Sequence, residues 1–357
     1  MDLDRPEKYR SVDKSGMIDR ILGCPEQVRE AEKLVDQVEL PPRGRDEIES
    51  VVVTGMGGSG IPGDFLRVIL GPSLPVPLVV SKDYDLPKFV GPRTLVLAIS
   101  YSGDTEETIA AFHQAVRGEA KIIAITGGGE LARLCHKHNV PTVLVPAGSQ
   151  TRAVFGYLLL SSLVVFERLG LARSMRQGRR EAATVAEAVR EELHPSVPTV
   201  RNPAKQMARS LTGRFPVIYG ARNGSEVAAL RWRQQFNENS KMLAHHEAFP
   251  EMHHNEIAVW QAPQSVGGKI GLVFLRDQTE TDQTRGSADL TRAMFEQRDE
   301  EVMEVWSKGK SLLARLFSQS YVGDFVSYYL ALLRKVDPTP VEAIAFLRAE
   351  LSKRRAL

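Results

Sequence analysis

Val51-Val52-Val53-Thr54-Gly55-Met56-Gly57-Gly58-Ser59-Gly60 runs from a β-branched triplet into a loop carrying four glycines. A helical pattern follows from Asp64 to Leu70. An apolar run that ends in glycines and passes into a helix is the strand–loop–helix unit of a parallel sheet. The glycines let backbone N–H groups approach an anion, and the helix N-terminus adds partial positive charge. The spacing Gly55, Gly57, Gly60 also meets the G-x-G-x-x-G dinucleotide pattern, with Asp83 about 20 residues further on. An NAD-dependent dehydrogenase is therefore one reading of the loop, and a tight turn holding no ligand is another.

Outward from that loop the same unit repeats. Apolar runs recur at Val76 to Val80, Thr94 to Ile99, Ile122 to Ile125 and Thr142 to Val145, with helical patterns between most of them. A second series follows at Val217-Ile218-Tyr219, Lys269 to Leu275 and Val302 to Trp306. Continuous apolar strands between helices predict parallel sheets covered on both faces. The fold class is thus α/β, with two doubly wound parallel-sheet domains and flanking helices. The expected boundaries are a helical preface over residues 1–45, a first domain over 46–190, a second over 191–335 and a C-terminal helix over 336–357. The preface rests on helical spacing from Met17 to Val38 and closes at the turn Pro41-Pro42-Arg43-Gly44. The charged stretch Leu171 to Val200 is the expected crossing between domains.

Composition narrows the function. A chain of 357 residues with 43% hydrophobic and 25% charged residues is ordinary for a globular protein. Its formal net charge of +2 gives no global field toward nucleic acid or an anionic membrane. Two cysteines, Cys24 and Cys135, lie in no metal-ligand spacing, which fits a reducing cytoplasm. The N-terminus lacks the features of a signal peptide. The longest apolar stretch, Val154 to Phe166, is interrupted by Gly156, Ser161 and Ser162. It falls short of the roughly 20 residues a spanning helix needs and reads as a core helix.

The strand Thr94 to Ile99 runs into Ser100-Tyr101-Ser102-Gly103-Asp104-Thr105. Three hydroxyls, Ser100, Ser102 and Thr105, thus stand where a parallel strand ends and a helix begins, the edge at which open α/β sheets bind ligands. Hydroxyls together with N–H groups suit a phosphate monoester. A helix cap would account for one of the three hydroxyls.

Gly57-Gly58-Ser59 with Ser-x-Ser-Gly-x-Thr resembles the sugar isomerase (SIS) domain. Three further stretches extend the likeness: Gln235-Phe236-Asn237-Glu238-Asn239-Ser240-Lys241, His254-Asn255-Glu256-Ile257 and Asp337-Pro338-Thr339-Pro340-Val341. They stand in the order of the bifunctional phosphoglucose/phosphomannose isomerase family, which the chain resembles from about Val51 to its end. The resemblance implies two SIS-type domains and an aldose–ketose isomerase acting on hexose 6-phosphates through a cis-enediolate. It makes Gly57, Gly58, Ser59, Ser100, Ser102 and Thr105 the phosphate site and Glu238 the base that moves a proton between C2 and C1. His254 becomes the group that opens the sugar ring, and Arg152 the cation facing the reacting carbons. A homodimer with shared active sites is implied as well. No cofactor is expected.

Residues around these motifs bear on the same reading. Ala228, Trp232 and Phe236 fall on one packed face of a helix that Ser225 can cap, so Glu238 sits at an anchored helix end. His245, His246, His253 and His254 lie close to Glu247, Glu251 and Glu256. Their spacing fits no H-E-x-x-H helix and Pro250 interrupts any shared face, so no metal site is expected. One departure stands out. The family pattern expects a lysine after Asp-Pro-x-Pro, where this chain has Arg348. Arginine keeps the charge without exchanging a proton near neutral pH. A non-catalytic SIS protein that senses a sugar phosphate is the main alternative, and Glu238 together with His254 argues against it.

Overall fold

The computed structural model describes residues 1–41, 47–261 and 269–355. The expected turn residues Pro42, Arg43 and Gly44 lie outside the described residues. Two short helices form the preface, α1 (Met17–Leu22) and α2 (Cys24–Asp36). The first sheet-bearing half then runs β1 (Ser50–Thr54), α3 (Gly57–Leu70), β2 (Leu78–Ser81), β3 (Thr94–Ser100), α4 (Glu106–Arg117), β4 (Lys121–Thr126), α5 (Gly129–Lys137), β5 (Thr142–Leu144) and α6 (Phe155–Arg168). Helices α7 (Arg176–Leu193) and α8 (Pro203–Ser210) connect the halves. The second half runs β6 (Phe215–Ala221), α9 (Glu226–Glu238), β7 (His245–Phe249), β8 (Ile270–Arg276), α10 (Asp282–Glu296), β9 (Val302–Trp306), α11 (Leu312–Leu333) and α12 (Glu342–Arg355).

Every strand pairing is parallel, in the orders β2-β1-β3-β4-β5 and β7-β6-β8-β9. In each sheet the first strand feeds one neighbour and then the chain crosses to the other side. That reversal is a topological switch point, beyond whose carboxyl edge ligands bind. In the first sheet the loops at the switch are those after β1 and β3, the glycine and hydroxyl loops picked out from sequence.

Alternation along the strands sends residues to two covers. Val51, Val53, Leu95 and Leu97 of the first sheet and Ile218, Val273 and Leu275 of the second join one apolar core with α2, α6, α7, α9 and α11. Val52, Val96 and Ala98 face Phe112 and Leu131 beneath α4 and α5, while Tyr219, Leu272 and Phe274 face Phe295 of α10. Helix α11 is buried along nearly its whole length and packs on α7, α8 and α9, so it is apolar on every side. Among the described residues no helix is long and apolar enough to cross a membrane.

Two expectations needed correction, and one strand had gone unread. Helix α3 starts at Gly57 rather than near Asp64, because the glycine loop itself winds into the first turn, with Pro62 inside the helix. The histidine-rich stretch is an edge strand, β7, whose polar sequence (His245-His246-Glu247) hid it. Ser225 does not cap α9; its hydroxyl accepts from the Ala221 N–H and donates to the Leu275 carbonyl, tying β6 to β8.

Candidate active site

The 3-10 turn Thr151–Ala153 that precedes α6 lies against the glycine loop. A Cβ on Gly58 would stand 3.0 Å from Thr151 Cγ2 and 3.2 Å from the Arg152 nitrogen, so only glycine leaves that approach relaxed. Arg152 is 3% exposed, and a buried guanidinium must have its N–H groups satisfied. Its Nε donates to Asn239 Oδ1 at 2.6 Å and its Nη1 to Glu238 Oε2 at 3.0 Å. Its Nη2 donates to the carbonyls of Pro338 (2.5 Å) and Thr339 (3.0 Å). Four of five donors are thus held by protein acceptors, and the fifth, on Nη1, stays on the Glu238 side. Burial pulls the arginine below its ordinary pKa, and the Glu238 charge opposes this.

Glu238 is the last residue of α9, and its side chain is 25% exposed, so the carboxylate has a dry side and an open one. Behind it the helix is fixed in the core by Trp232 and Phe236, both fully buried, as the spacing implied. Two buried polar connections hold the pair. Arg231 donates to both oxygens of Asp324 (2.9 and 2.8 Å) and to the Arg152 carbonyl at 3.0 Å. Gln235 donates to Asp324 at 2.5 Å. Asn239 Nδ2 donates to Ser327 Oγ at 3.0 Å. Burial raises the Asp324 pKa, with Arg231 resisting. Asp324 and Ser327 lie on the core helix α11, so they hold Arg152 through α9.

The hydroxyl loop is partly structural. Ser100 is fully buried and donates to Thr105 Oγ1 at 2.9 Å, and Ser59 Oγ accepts from the Tyr101 N–H at 3.0 Å. Ser102 is exposed, beside Gly103 at φ +77. Thr105 stands at the N-cap position of α4 without making the cap bond. The expected three outward hydroxyls are therefore reduced: Ser100 is turned inward because β3 continues through it into the core. Ser102 is exposed at the mouth and Thr105 is buried behind it; the Ser59 N–H donates to the Met56 carbonyl at 2.9 Å, which leaves Gly57 and Gly58 as the loop's candidate N–H donors. Asp83 accepts from the N–H of its own neighbour Tyr84.

His254 ends a 3-10 turn that follows β7, and it is exposed. Helix α9 runs back antiparallel to β6, so Glu238 lies at the amino edge of the second sheet and His254 beyond its carboxyl edge. Thirteen helical residues and a seven-residue strand each span on the order of 20 Å. The other histidines are dispersed. His245 bonds Glu256 at 2.7 Å, which raises its pKa; burial lowers His246 to about 4; His253 lies between Ser287 and Thr291. Among the described residues no three His, Cys, Asp or Glu side chains gather as a metal site.

The segment before α12 enters the site through Pro338 and Thr339, and the first residue of α12, Glu342, faces Lys241. Arg348, nearly two turns beyond Glu342, is exposed. Three participants escaped the sequence reading: Asn239, Lys241 and Asp324. Asn239 and Lys241 stood inside the Gln235–Lys241 stretch. Asp324 could have been found as a lone carboxylate in the apolar run of α11.

Two parallel sheets with glycine and hydroxyl loops at a switch point define an SIS-type sugar-phosphate protein. The SIS domain model matches residues 47–164, and the bacterial phospho-glucose isomerase C-terminal SIS domain model matches 200–351. The structure resembles tagatose-6-phosphate ketose/aldose isomerase from Escherichia coli, with a TM-score of 0.70 at 15% identity over 91% of this chain and 95% of that one. The chain is 38% identical to the bifunctional phosphoglucose/phosphomannose isomerase of Caldicellulosiruptor bescii, covering 94% of this chain and 99% of the relative. It is 33% identical to that of Thermoplasma acidophilum, covering 92% and 98%. The chain belongs to the bifunctional phosphoglucose/phosphomannose isomerase family.

Proposed function

We infer that this chain is an aldose–ketose isomerase that interconverts glucose 6-phosphate and mannose 6-phosphate with fructose 6-phosphate, without a metal ion. The observation that carries the reading is the Arg152–Glu238 pair, 3.0 Å apart and set beside the glycine loop. Residues 46–190 supply the phosphate loops and 191–335 the carboxylate. Backbone N–H groups at Gly57 and Gly58, with the Ser102 and Thr105 hydroxyls, hold the phosphate, while Ser59 braces the hydroxyl loop at Tyr101 and Ser100 braces Thr105. Glu238 takes the C2 proton and returns it to C1, and Arg152 stabilises the enediolate charge that forms between these steps. Glucose and mannose phosphates differ only at C2, which is planar in the enediolate, so one carboxylate serves both epimers. The name shared by the relatives supports this substrate class. The buried, unpaired Cys24 and Cys135 suit a cytoplasmic enzyme.

The dehydrogenase reading is disfavoured because Asp83 serves its own turn and Glu238 would have no part in hydride chemistry. The sensor reading leaves a buried arginine clamped to a half-open carboxylate unexplained. A coupled assay of fructose 6-phosphate formation from each aldose phosphate tests the proposal. Turnover from both, undiminished in EDTA, is expected. Absence of turnover from either sugar refutes it, and loss in EDTA with restoration by zinc refutes the metal-free version.

Ring opening needs His254 beside Glu238, and the two lie at opposite edges of one sheet. The site is therefore completed by His254 from a second copy. Ile344, Phe346, Leu347 and Leu351 on α12 are 40–64% exposed, apolar area that a homodimer would cover. In a twofold dimer each shared site occurs twice. Co-expressing Glu238→Gln with His254→Ala gives mixed dimers in which one site carries both defects and the other neither. Random pairing makes about half the dimers mixed, so about a quarter of wild-type activity should return. Purified mixed dimers without activity would defeat the shared site.

A further inference from the structure

Beside the Arg152–Glu238 pair lies a lysine that the isomerase reading leaves without a role. We propose that Lys241 is a further catalytic residue, whose ammonium delivers the proton that sugar-ring opening requires and takes it back on closure. The inference rests on the isomerase reading and goes beyond it.

Lys241 follows the end of α9 by three residues and adopts φ +52, an uncommon left-handed conformation for a side-chain-bearing residue. The chain turns there, and the side chain folds back over the helix end. Its Nζ donates to the Glu238 carbonyl and, at 3.4 Å, to the Pro338 carbonyl. The Pro338 carbonyl also accepts from Arg152 Nη2 at 2.5 Å. Ammonium and guanidinium therefore share one acceptor, and the guanidinium carries Glu238 on its other arm. An ammonium has three N–H bonds, so two engaged carbonyls leave one for a substrate oxygen.

The surroundings give this lysine a property that the arginines lack. It is half-buried, and the groups that face it are Arg152, Glu238, Asp337 and Glu342. Burial first, and the Arg152 charge second, lower its pKa from 10.5 to about 8, while the three carboxylates oppose the shift. It can therefore release and recover a proton under physiological conditions, as neither Arg152 nor Arg348 can. Where the family pattern expects a lysine, this chain has Arg348, and Lys241 supplies the exchangeable proton from another element.

The step balances. The C1–O5 bond breaks with its electron pair going to O5, and O5 takes the proton from Lys241 Nζ. As C1 and O1 form their double bond, the O1 proton passes to the imidazole of His254 from a second copy. Ring closure runs the same transfers backward. The acid must be protonated, so Lys241 sets the alkaline limb: activity should fall as pH rises through about 8.

Lys241→Arg keeps the charge and removes the exchangeable proton. In this variant kcat with the cyclic aldose phosphate should fall at least ~100-fold, the lower end of the usual contribution of a general acid. The alkaline limb near pH 8 should disappear, while the inhibition constant of the open-chain analogue 5-phosphoarabinonate should not change. Lys241→Met, which also loses the charge, should weaken that inhibitor as well. A lysine that merely ties α9 to the Pro338 segment would let arginine substitute with the wild-type pH profile. That profile with unchanged kcat would overturn the proposal while leaving the isomerase reading intact. If neither variant folds, the wild-type enzyme still decides: a kcat/KM profile flat from pH 7 to pH 9 overturns it. Absence of any wild-type turnover removes the isomerase reading, and this inference with it.

Discussion

Replacing Glu238 with glutamine separates chemistry from folding, because the amide oxygen can occupy the place of Oε2 and still accept from Arg152 Nη1 at 3.0 Å. A hydrogen bond to a charged partner contributes about 1.5–3 kcal/mol and a neutral one about 0.5–1.5. The exchange should therefore cost about 1–2 kcal/mol. Arg152 keeps Asn239, Pro338 and Thr339 as acceptors, so it is not left stranded. Melting should shift by only a few degrees, since about 1 kcal/mol moves a domain of this size roughly 2–4 °C. Chemistry should suffer far more. A carboxamide cannot take the C2 proton, and loss of a positioned base lowers kcat at least ~100-fold, about 2.7 kcal/mol in barrier. The phosphate loops are untouched, so KM should stay within a few-fold. Coupled assays at saturating substrate, with thermal unfolding followed by circular dichroism, read both effects. A folded Glu238→Gln enzyme retaining more than a tenth of wild-type kcat would refute the assignment of the base.

Ser102→Ala combined with Thr105→Ala should raise KM by one to two orders of magnitude with little change in kcat, as expected for lost hydrogen bonds to an anion. An unchanged KM measured on the purified double variant would exclude the loop as the anchor. Arg348→Lys should preserve or improve turnover and Arg348→Ala should reduce it, if α12 brings a fixed charge to the assembled site. Indifference to both changes in steady-state kinetics would place this side chain outside the site.

Sheets were legible because their signal is local. A buried parallel strand such as Thr94 to Ile99 is apolar at every position, and a loop such as Gly55 to Gly60 is constrained by close approach. β7 was not legible: it is an edge strand, and His245 and His246 are paired on one side only, with β6. For an edge strand, apolar continuity is not demanded. The site divided along the same line. Glu238 and Arg152 could be picked out by neighbourhood, but Arg152's true setting is assembled from residues 86 to 187 positions away, among them Asn239, Pro338 and Thr339. Ser100 shows the reverse error. In sequence it is one of three hydroxyls in a loop, whereas in the fold it is the last buried position of β3.

The proposed site uses opposite edges of the two sheets, and this follows from how a strand–helix unit is wound. In the first half the ligand loops sit at the carboxyl edge, where helix N-termini add partial positive charge suited to phosphate. In the second half the site is met by the far end of α9, at the amino edge, where a helix C-terminus carries partial negative charge. That end would disfavour phosphate but holds cations well, and both Arg152 and Lys241 donate to carbonyls there or beside it. In the proposed site the anion of the substrate and the cations assigned to its reacting carbons are thereby drawn to different helix ends. The second sheet's own carboxyl edge, where His254 stands, then faces away from the site built by its chain. Only a second copy of the chain can bring that edge to the carboxylate, so the proposed dimer follows from the sheet's polarity if Glu238 and His254 act on one sugar.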